Sequence, residues 1–236
     1  MKTIIFDIDG TLTDTKGVDD KCFVSAFLNV FNINIRDQDW SAFKNVTDSG
    51  ITAEIFQKEL NRNPTESEYQ SLMSEFIQHL EKEKERDLSQ FREVNGARNF
   101  VNSLKDMDLP LGIATGGWEG SARLKLQAAG IDIDGLGFSN SSRHKTREKI
   151  IKDVIIQLQG KKEYVENDII YFGDGLWDML TCARLGIHFI GIDNNGDNKL
   201  RSLGVNPVFK DFTKSDEIFN VINNGRIGRG MIDLDF

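Results

Sequence analysis

Four short apolar runs, Thr3–Phe6, Leu109–Ala114, Asp168–Phe172 and Ile187–Ile192, each bounded by Gly, Asp or Pro, constrain the fold more than any other feature. Their Ile, Phe and Leu content is near-continuous instead of alternating, which is the pattern of parallel strands covered on both faces. Helical periodicity lies between most of them, at about 95–107, 118–129, 144–159 and 175–185. The stretches Ala128-Ala129-Gly130-Ile131 and Arg184-Leu185-Gly186-Ile187 read as helices that end at a glycine cap and then enter a strand. Strand–helix–strand repetition implies right-handed crossovers, and hence an α/β fold with a doubly wound parallel sheet.

One stretch breaks the alternation. From about Thr15 to Arg92 no convincing strand occurs, only amphipathic helical segments. Asp48-Ser49 offers an N-cap for a helix at about 50–61, and Thr65-Glu66-Ser67-Glu68 a capping box for one that runs to about Asp87. The alternating charges from Glu81 to Arg86 read as a solvated helix face. The expected organisation is therefore an α/β core from residues 1–14 and 93–236, with a separate all-helical domain, 15–92, inserted after the first strand. At 236 residues with 39% hydrophobic content, the chain can bury cores for both. The last dozen residues, with Gly225, Gly228 and Gly230, read as a tail.

Composition narrows the partners. With 29 Lys+Arg against 37 Asp+Glu, the formal charge is −8. That balance speaks against sequence-independent binding to nucleic acid or to an anionic membrane, and it leaves room for one positive pocket. Two distant cysteines, Cys22 and Cys182, with no CxxC, exclude a disulfide framework and fit a reducing, cytoplasmic setting. The opening Met-Lys-Thr-Ile-Ile-Phe-Asp is too short in apolar residues for a signal-peptide core, and no later run approaches a membrane span.

Four motifs carry chemistry. The first, Phe6-Asp7-Ile8-Asp9-Gly10-Thr11-Leu12-Thr13, ends the first strand. In doubly wound sheets ligands sit at the carboxyl ends of strands, so both carboxylates are delivered to a crevice, where one can attack while its neighbour moves a proton. A calcium EF-hand is excluded, because Leu12 and Val18 stand where Gly and Glu are required. The second, Ile113-Ala114-Thr115-Gly116-Gly117-Trp118, runs from a strand end into a helix, and its hydroxyl and backbone N–H groups suit a phosphate seat. The third, Phe172-Gly173-Asp174-Gly175-Leu176-Trp177-Asp178, places two acids four apart beside a buried strand, facing the same crevice as Asp7. An all-oxygen set without a Cys/His cluster favours Mg²⁺ over zinc. The fourth is the basic cluster Ser141-Ser142-Arg143-His144-Lys145-Thr146-Arg147-Glu148-Lys149. A cation is needed there, since carboxylates facing a phosphate otherwise repel it. Lys145 is the first choice and Arg147 the second. His79, His144 and His188 are scattered and read as surface or core residues.

These four motifs, in this order, resemble the haloacid dehalogenase superfamily of hydrolases, over about 1–13 and 95–210. The helical insert resembles the cap of the phosphoglycolate phosphatase and β-phosphoglucomutase-like branch. The resemblance implies a Rossmann-like core in which Asp7 is the nucleophile and Asp9 the acid/base. It also implies that Thr115 and Gly116 hold the phosphoryl group, that Lys145 neutralises it, and that Asp174, backed by Asp178, holds Mg²⁺ together with Asp7 and Asp9. Two departures stand out: the second motif is Thr-Gly-Gly where Thr-Asn is frequent, and Lys145 lacks the proline that often follows the family lysine.

The expected activity is a Mg²⁺-dependent phosphatase acting on a small phosphorylated metabolite through an aspartyl-phosphate, in a monomer or homodimer. The alternatives are a sugar phosphomutase of the β-phosphoglucomutase type and a non-hydrolytic phosphoacceptor or binding protein. Dehalogenation is disfavoured by the presence of Asp9, and phosphonate hydrolysis by the lack of a suitably placed lysine in the insert. The polar segment Phe43–Gly50 is expected to reach the crevice, with Lys44 and Thr47 touching the leaving group and Trp118 forming the floor opposite.

Overall fold

The computed structural model describes residues 2–159 and 169–224; the expected tail at 225–236 lies outside them. A six-stranded parallel sheet forms the centre. Its strands are β1 (Thr3–Phe6), β4 (Leu111–Ala114), β5 (Gly137–Ser139), β6 (Ile169–Gly173), β7 (His188–Ile192) and β8 (Val208–Phe209), in the order β5-β4-β1-β6-β7-β8. Phe6 stands opposite Ile113 on one side and Phe172 on the other. From β1 the chain winds outward through β4 and β5, then crosses back to β6 and winds the other way. The reversal between β1 and β6 opens a crevice at their carboxyl ends.

Both faces of this sheet are covered, as the unbroken apolar runs require. Ile4, Phe6, Ile113, Ile170 and Phe172 pack on one face with Phe100 and Phe212. Ile5, Ala114, Ile169 and Tyr171 pack on the other with Ile150, Val154 and Met179. The Phe6 and Phe172 rings stack at 4.9 Å. The covering helices are α4 (Ala97–Asp106), α5 (Glu119–Ala128), α6 (Arg147–Gln159), α7 (Leu176–Leu185) and α9 (Ser215–Asn224), with a short α8 (Lys199–Ser202).

Between β1 and β4 the chain forms α1 (Lys16–Phe31), α2 (Asp48–Leu60) and α3 (Glu66–Arg86), flanked by a two-stranded antiparallel ribbon of β2 (Thr13–Asp14) and β3 (Arg92–Glu93). The chain thus leaves toward the helices and returns from them at paired neighbouring points. The three helices share an apolar cluster of Phe23, Phe27, Phe56, Leu72, Phe76 and Leu80, to which Leu124 of α5 and its N-cap residue Trp118 also belong. Among the described residues, no helix is long and apolar enough to cross a membrane.

Several expectations shift. The N-cap of α2 is Thr47, whose hydroxyl accepts from the Gly50 N–H, and not Asp48-Ser49. The capping box at Thr65 and Glu68 forms as read. Gly186 caps α7 and leads into β7, but the residues after Gly130 do not enter a strand, and β5 begins only at Gly137. Helix α6 starts at Arg147, three residues later than its periodicity suggested, and this offset decides which cation reaches the site.

Candidate active site

Asp7 follows β1 directly, and its N–H donates to Phe172 O at 2.9 Å, so β1–β6 pairing fixes its position. It is 3% exposed. The chain then turns back, with the N–H groups of Leu12 and Thr13 donating to Ile8 O. Gly10 enables this turn. Its φ is +80°, and a Cβ there would lie 2.2 Å from Asp174 Oδ2. Asp174 and Asp178 arrive from the end of β6 and the first turn of α7.

Oxygens of Asp7, Asp174 and Asp178 lie within 4.8 Å of one another. Burial pushes all three carboxyls above the ordinary range, Asp174 to about 6, against the opposing pull of Arg147 and, for Asp174, of Lys16. Asp174 Oδ2 accepts from Lys16 Nζ at 2.8 Å, while its buried Oδ1 has no hydrogen-bond partner among the described residues. A buried anionic oxygen without a donor is costly. Three convergent carboxylates, one of which also holds an oxygen without a donor, fit a divalent cation of the magnesium kind.

Asp9 stands apart from that convergence, although the expected metal set included it. Its Oδ1 accepts from Thr15 Oγ1 at 2.6 Å, and its Oδ2 faces Lys125 Nζ at 2.5 Å. Lys125 is fully buried and also bonds Asp19 Oδ1 at 2.5 Å. Burial opposes its charge, yet Asp19 and Asp9 outweigh that and hold the ammonium above its usual range. Sequence reading passed over Lys125. The available signal was its place among Ser121, Ala122, Leu124 and Leu126, a lysine in a buried stretch of helix that must have an acidic partner.

The basic cluster sends Arg147, not Lys145, to the acids. Arg147 Nη1 bonds Asp178 Oδ1 at 2.7 Å and approaches Asp7 Oδ1 at 3.4 Å, while its Nε donates to Val46 O at 2.9 Å. Lys145, two residues before α6, instead extends over the Tyr69 ring at 5.6 Å, outside the crevice, and only its carbonyl takes part, accepting from Thr47 Oγ1. The first departure from the family pattern has a local counterpart. A Cβ at Gly116 would sit 2.7 Å from Arg147 Nη2, so the small residue in the second motif makes room for the guanidinium.

Thr115 is 2% exposed and lines the crevice, and its Oγ1 accepts from the Gly117 N–H. Beyond Thr115 and Gly116, both on the crevice wall, two N–H groups at the start of α5 are already engaged. The Trp118 N–H donates to Asp48 Oδ2 and the Glu119 N–H to Ser142 Oγ. Of the segment 43–50, Val46, Thr47 and Asp48 line the crevice, whereas Lys44 is exposed and outside it. The Thr47 hydroxyl is already engaged by Gly50 and Lys145. Trp118 is no floor. It is 1% exposed, packed among the α1–α3 aromatics, with Nε1 donating to Ser49 Oγ. The crevice between the strand ends and α1–α2 holds a half-open cavity of about 80 Å³.

A family model described as haloacid dehalogenase-like hydrolase matches residues 4–192. The chain belongs to that family. None of the curated proteins matches it in sequence. Among solved structures it is similar to a hydrolase from Pseudomonas syringae (22% identity, 92% of this chain and 99% of that one, TM-score 0.71). It is also similar to a HAD hydrolase, family IA, variant 3, from Entamoeba histolytica (18%, 95% and 100%, TM-score 0.67). A third is a predicted phosphoglycolate phosphatase from Haemophilus somnus (19%, 93% and 98%, TM-score 0.61). At these identities the likeness is one of fold.

Proposed function

We propose that the protein is a Mg²⁺-dependent phosphomonoesterase acting on a small phosphorylated metabolite in the cytoplasm. The observation that carries this reading is the convergence of Asp7, Asp174 and Asp178 at the strand reversal, with Asp174 Oδ1 left without a donor. Asp7, Asp174 and Asp178 would hold the cation, which supplies Lewis-acid polarisation of a phosphoryl oxygen and offsets charge between carboxylates and phosphate.

The chain's own residues do the rest. A carboxylate oxygen of Asp7 attacks phosphorus, and the bond to the leaving oxygen breaks in line. Asp9 gives a proton to the departing alkoxide, then takes one from the water that hydrolyses the aspartyl-phosphate. Thr15 and Lys125 fix the Asp9 carboxylate from both sides, so its orientation costs little at the moment of reaction. Arg147 takes the part of the neutralising cation, and Thr115 offers its hydroxyl to a phosphoryl oxygen. Residues 15–92 act as the cap that excludes bulk water.

Hydrolysis of p-nitrophenyl phosphate with and without Mg²⁺ tests the reading. Turnover that EDTA silences and Mg²⁺ restores is the expected result; phosphate release indifferent to EDTA contradicts it.

A further inference from the structure

The cavity has a second wall. Opposite the sheet, α1 and α2 contribute Asp19, Asp20 and Asp48, with Phe23, Trp40 and Ile51 between them. Each of these carboxylates engages the protein through one oxygen: Asp19 Oδ1 with Lys125, Asp20 Oδ1 with Trp40 Nε1 at 2.8 Å, and Asp48 Oδ2 with the Trp118 N–H at 2.8 Å. The cations lining the cavity face the other way. Lys16 is paired with Asp174, and Arg147 with Asp178 and Asp7. Lys125, behind this wall, is shared with Asp9. Among the described residues, Lys125 is thus the one cation ion-paired with any of these three acids, and Asp9 shares it. Burial pushes all three above the ordinary carboxylate range, Asp48 to about 7, against the pull of Lys125 on each, of Lys16 on Asp20 and of Arg147 on Asp48.

We infer that the ester hydrolysed here has a leaving alcohol bearing a primary ammonium group, an inference that rests on the phosphomonoesterase reading. A carboxylate on the leaving group faces acids of its own charge wherever these ionise, and is repelled. A hydroxyl gains hydrogen bonds only. An ammonium favours the ionised form of these acids and presents three donors to their oxygens. Phe23 and Trp40, with ring centroids 5.8 Å apart at 89°, add aromatic surface suited to a cation. The volume of about 80 Å³ is far below the roughly 300–1,000 Å³ of drug-sized pockets. It suits a short amino alcohol and disfavours a quaternary ammonium, which has no N–H to donate.

The test compares four esters at neutral pH with Mg²⁺: O-phosphoethanolamine, 2-hydroxyethyl phosphate, phosphoglycolate and p-nitrophenyl phosphate. The first three have leaving groups of similar size and positive, zero and negative charge. The expected kcat/KM for the ammonium ester exceeds that for the hydroxyl ester by about tenfold or more, and that for the carboxylate ester by about a hundredfold or more. Asp20→Asn should cut the ammonium-to-hydroxyl ratio by about fivefold or more; because both esters meet one preparation, the ratio does not depend on how much of the variant folds. A flat or reversed ranking alongside turnover of p-nitrophenyl phosphate overturns the inference and leaves the phosphomonoesterase reading standing. No turnover of any ester overturns both.

Discussion

Two sets of aspartates lie around one small cavity, Asp178 buried behind its wall, and they differ in what surrounds them. On the sheet side, Asp7, Asp174 and Asp178 converge within 4.8 Å and leave a buried oxygen without a partner. On the helical side, Asp19, Asp20 and Asp48 are each tied to a different neighbour, Lys125, Trp40 and Trp118. Residue type is the same on both walls. The difference lies in the backbone: the ends of β1 and β6 and the first turn of α7 bring three carboxylates together, while α1 and α2 keep theirs apart and pair each with its own donor. Convergence favours a metal ion and an attacking oxygen, whereas dispersion favours recognition of a substrate group. An acid's role here follows from its partners.

Breaking the sheet-side set should have the largest consequence. Asp7→Asn is expected to leave less than about one part in 10³ of wild-type kcat, because an amide cannot attack phosphorus. Next comes the cation. Arg147→Met should lower kcat/KM for p-nitrophenyl phosphate by roughly 10²–10³-fold, while Lys145→Met should change it by no more than about threefold. The reverse order would restore Lys145 as the acting residue. Third, Asp174→Asn should raise the Mg²⁺ concentration for half-maximal activity by about 10–100-fold, with Asp48→Asn leaving it unchanged. Equal shifts would erase the distinction between the walls.

The smallest effect concerns stability. Burial raises the Asp48 carboxyl to about 7, above the usual 3.8. Between those values the folded protein binds more protons than the unfolded chain, so this group's contribution to stability falls as pH rises through the window. Relative to Asp48→Asn, the wild type should lose about 1 kcal/mol or more between pH of about 4 and 7, measured by urea unfolding without ligand. A parallel pair of pH profiles would show that Asp48 carries no such strain.

Much of this architecture is legible in the chain itself. The runs containing Ile4–Phe6 and Ile169–Phe172 announce buried parallel strands because both faces need apolar cover, and the acids after them can only emerge at the crevice. Strand β5 was missed because Gly137-Phe138-Ser139 holds just one strong strand former. Helix α1 was not delimited because no side chain caps its start at Thr15. Within the site, Arg147 and Lys125 escaped first choice for one reason. Arg147 meets Asp178 and Asp7, 31 and 140 positions away, and Lys125 meets Asp9, 116 away, and neither a lysine at a helix start nor a motif pattern encodes those distances. Gly116 was read as a departure from the family, yet its meaning appears only when the Arg147 guanidinium is seen to fill the space a side chain would take.

The central claim is that Asp7 becomes phosphorylated. Wild type mixed with a ³²P-labelled phosphate monoester, quenched in acid and reduced with borohydride, would be mapped by mass spectrometry of its peptides. The account predicts a homoserine at position 7, acid-stable label lost on hydroxylamine treatment, and neither signal in Asp7→Asn. Modification at any other residue, or full turnover without a trapped acyl-phosphate in rapid-quench samples, would contradict it.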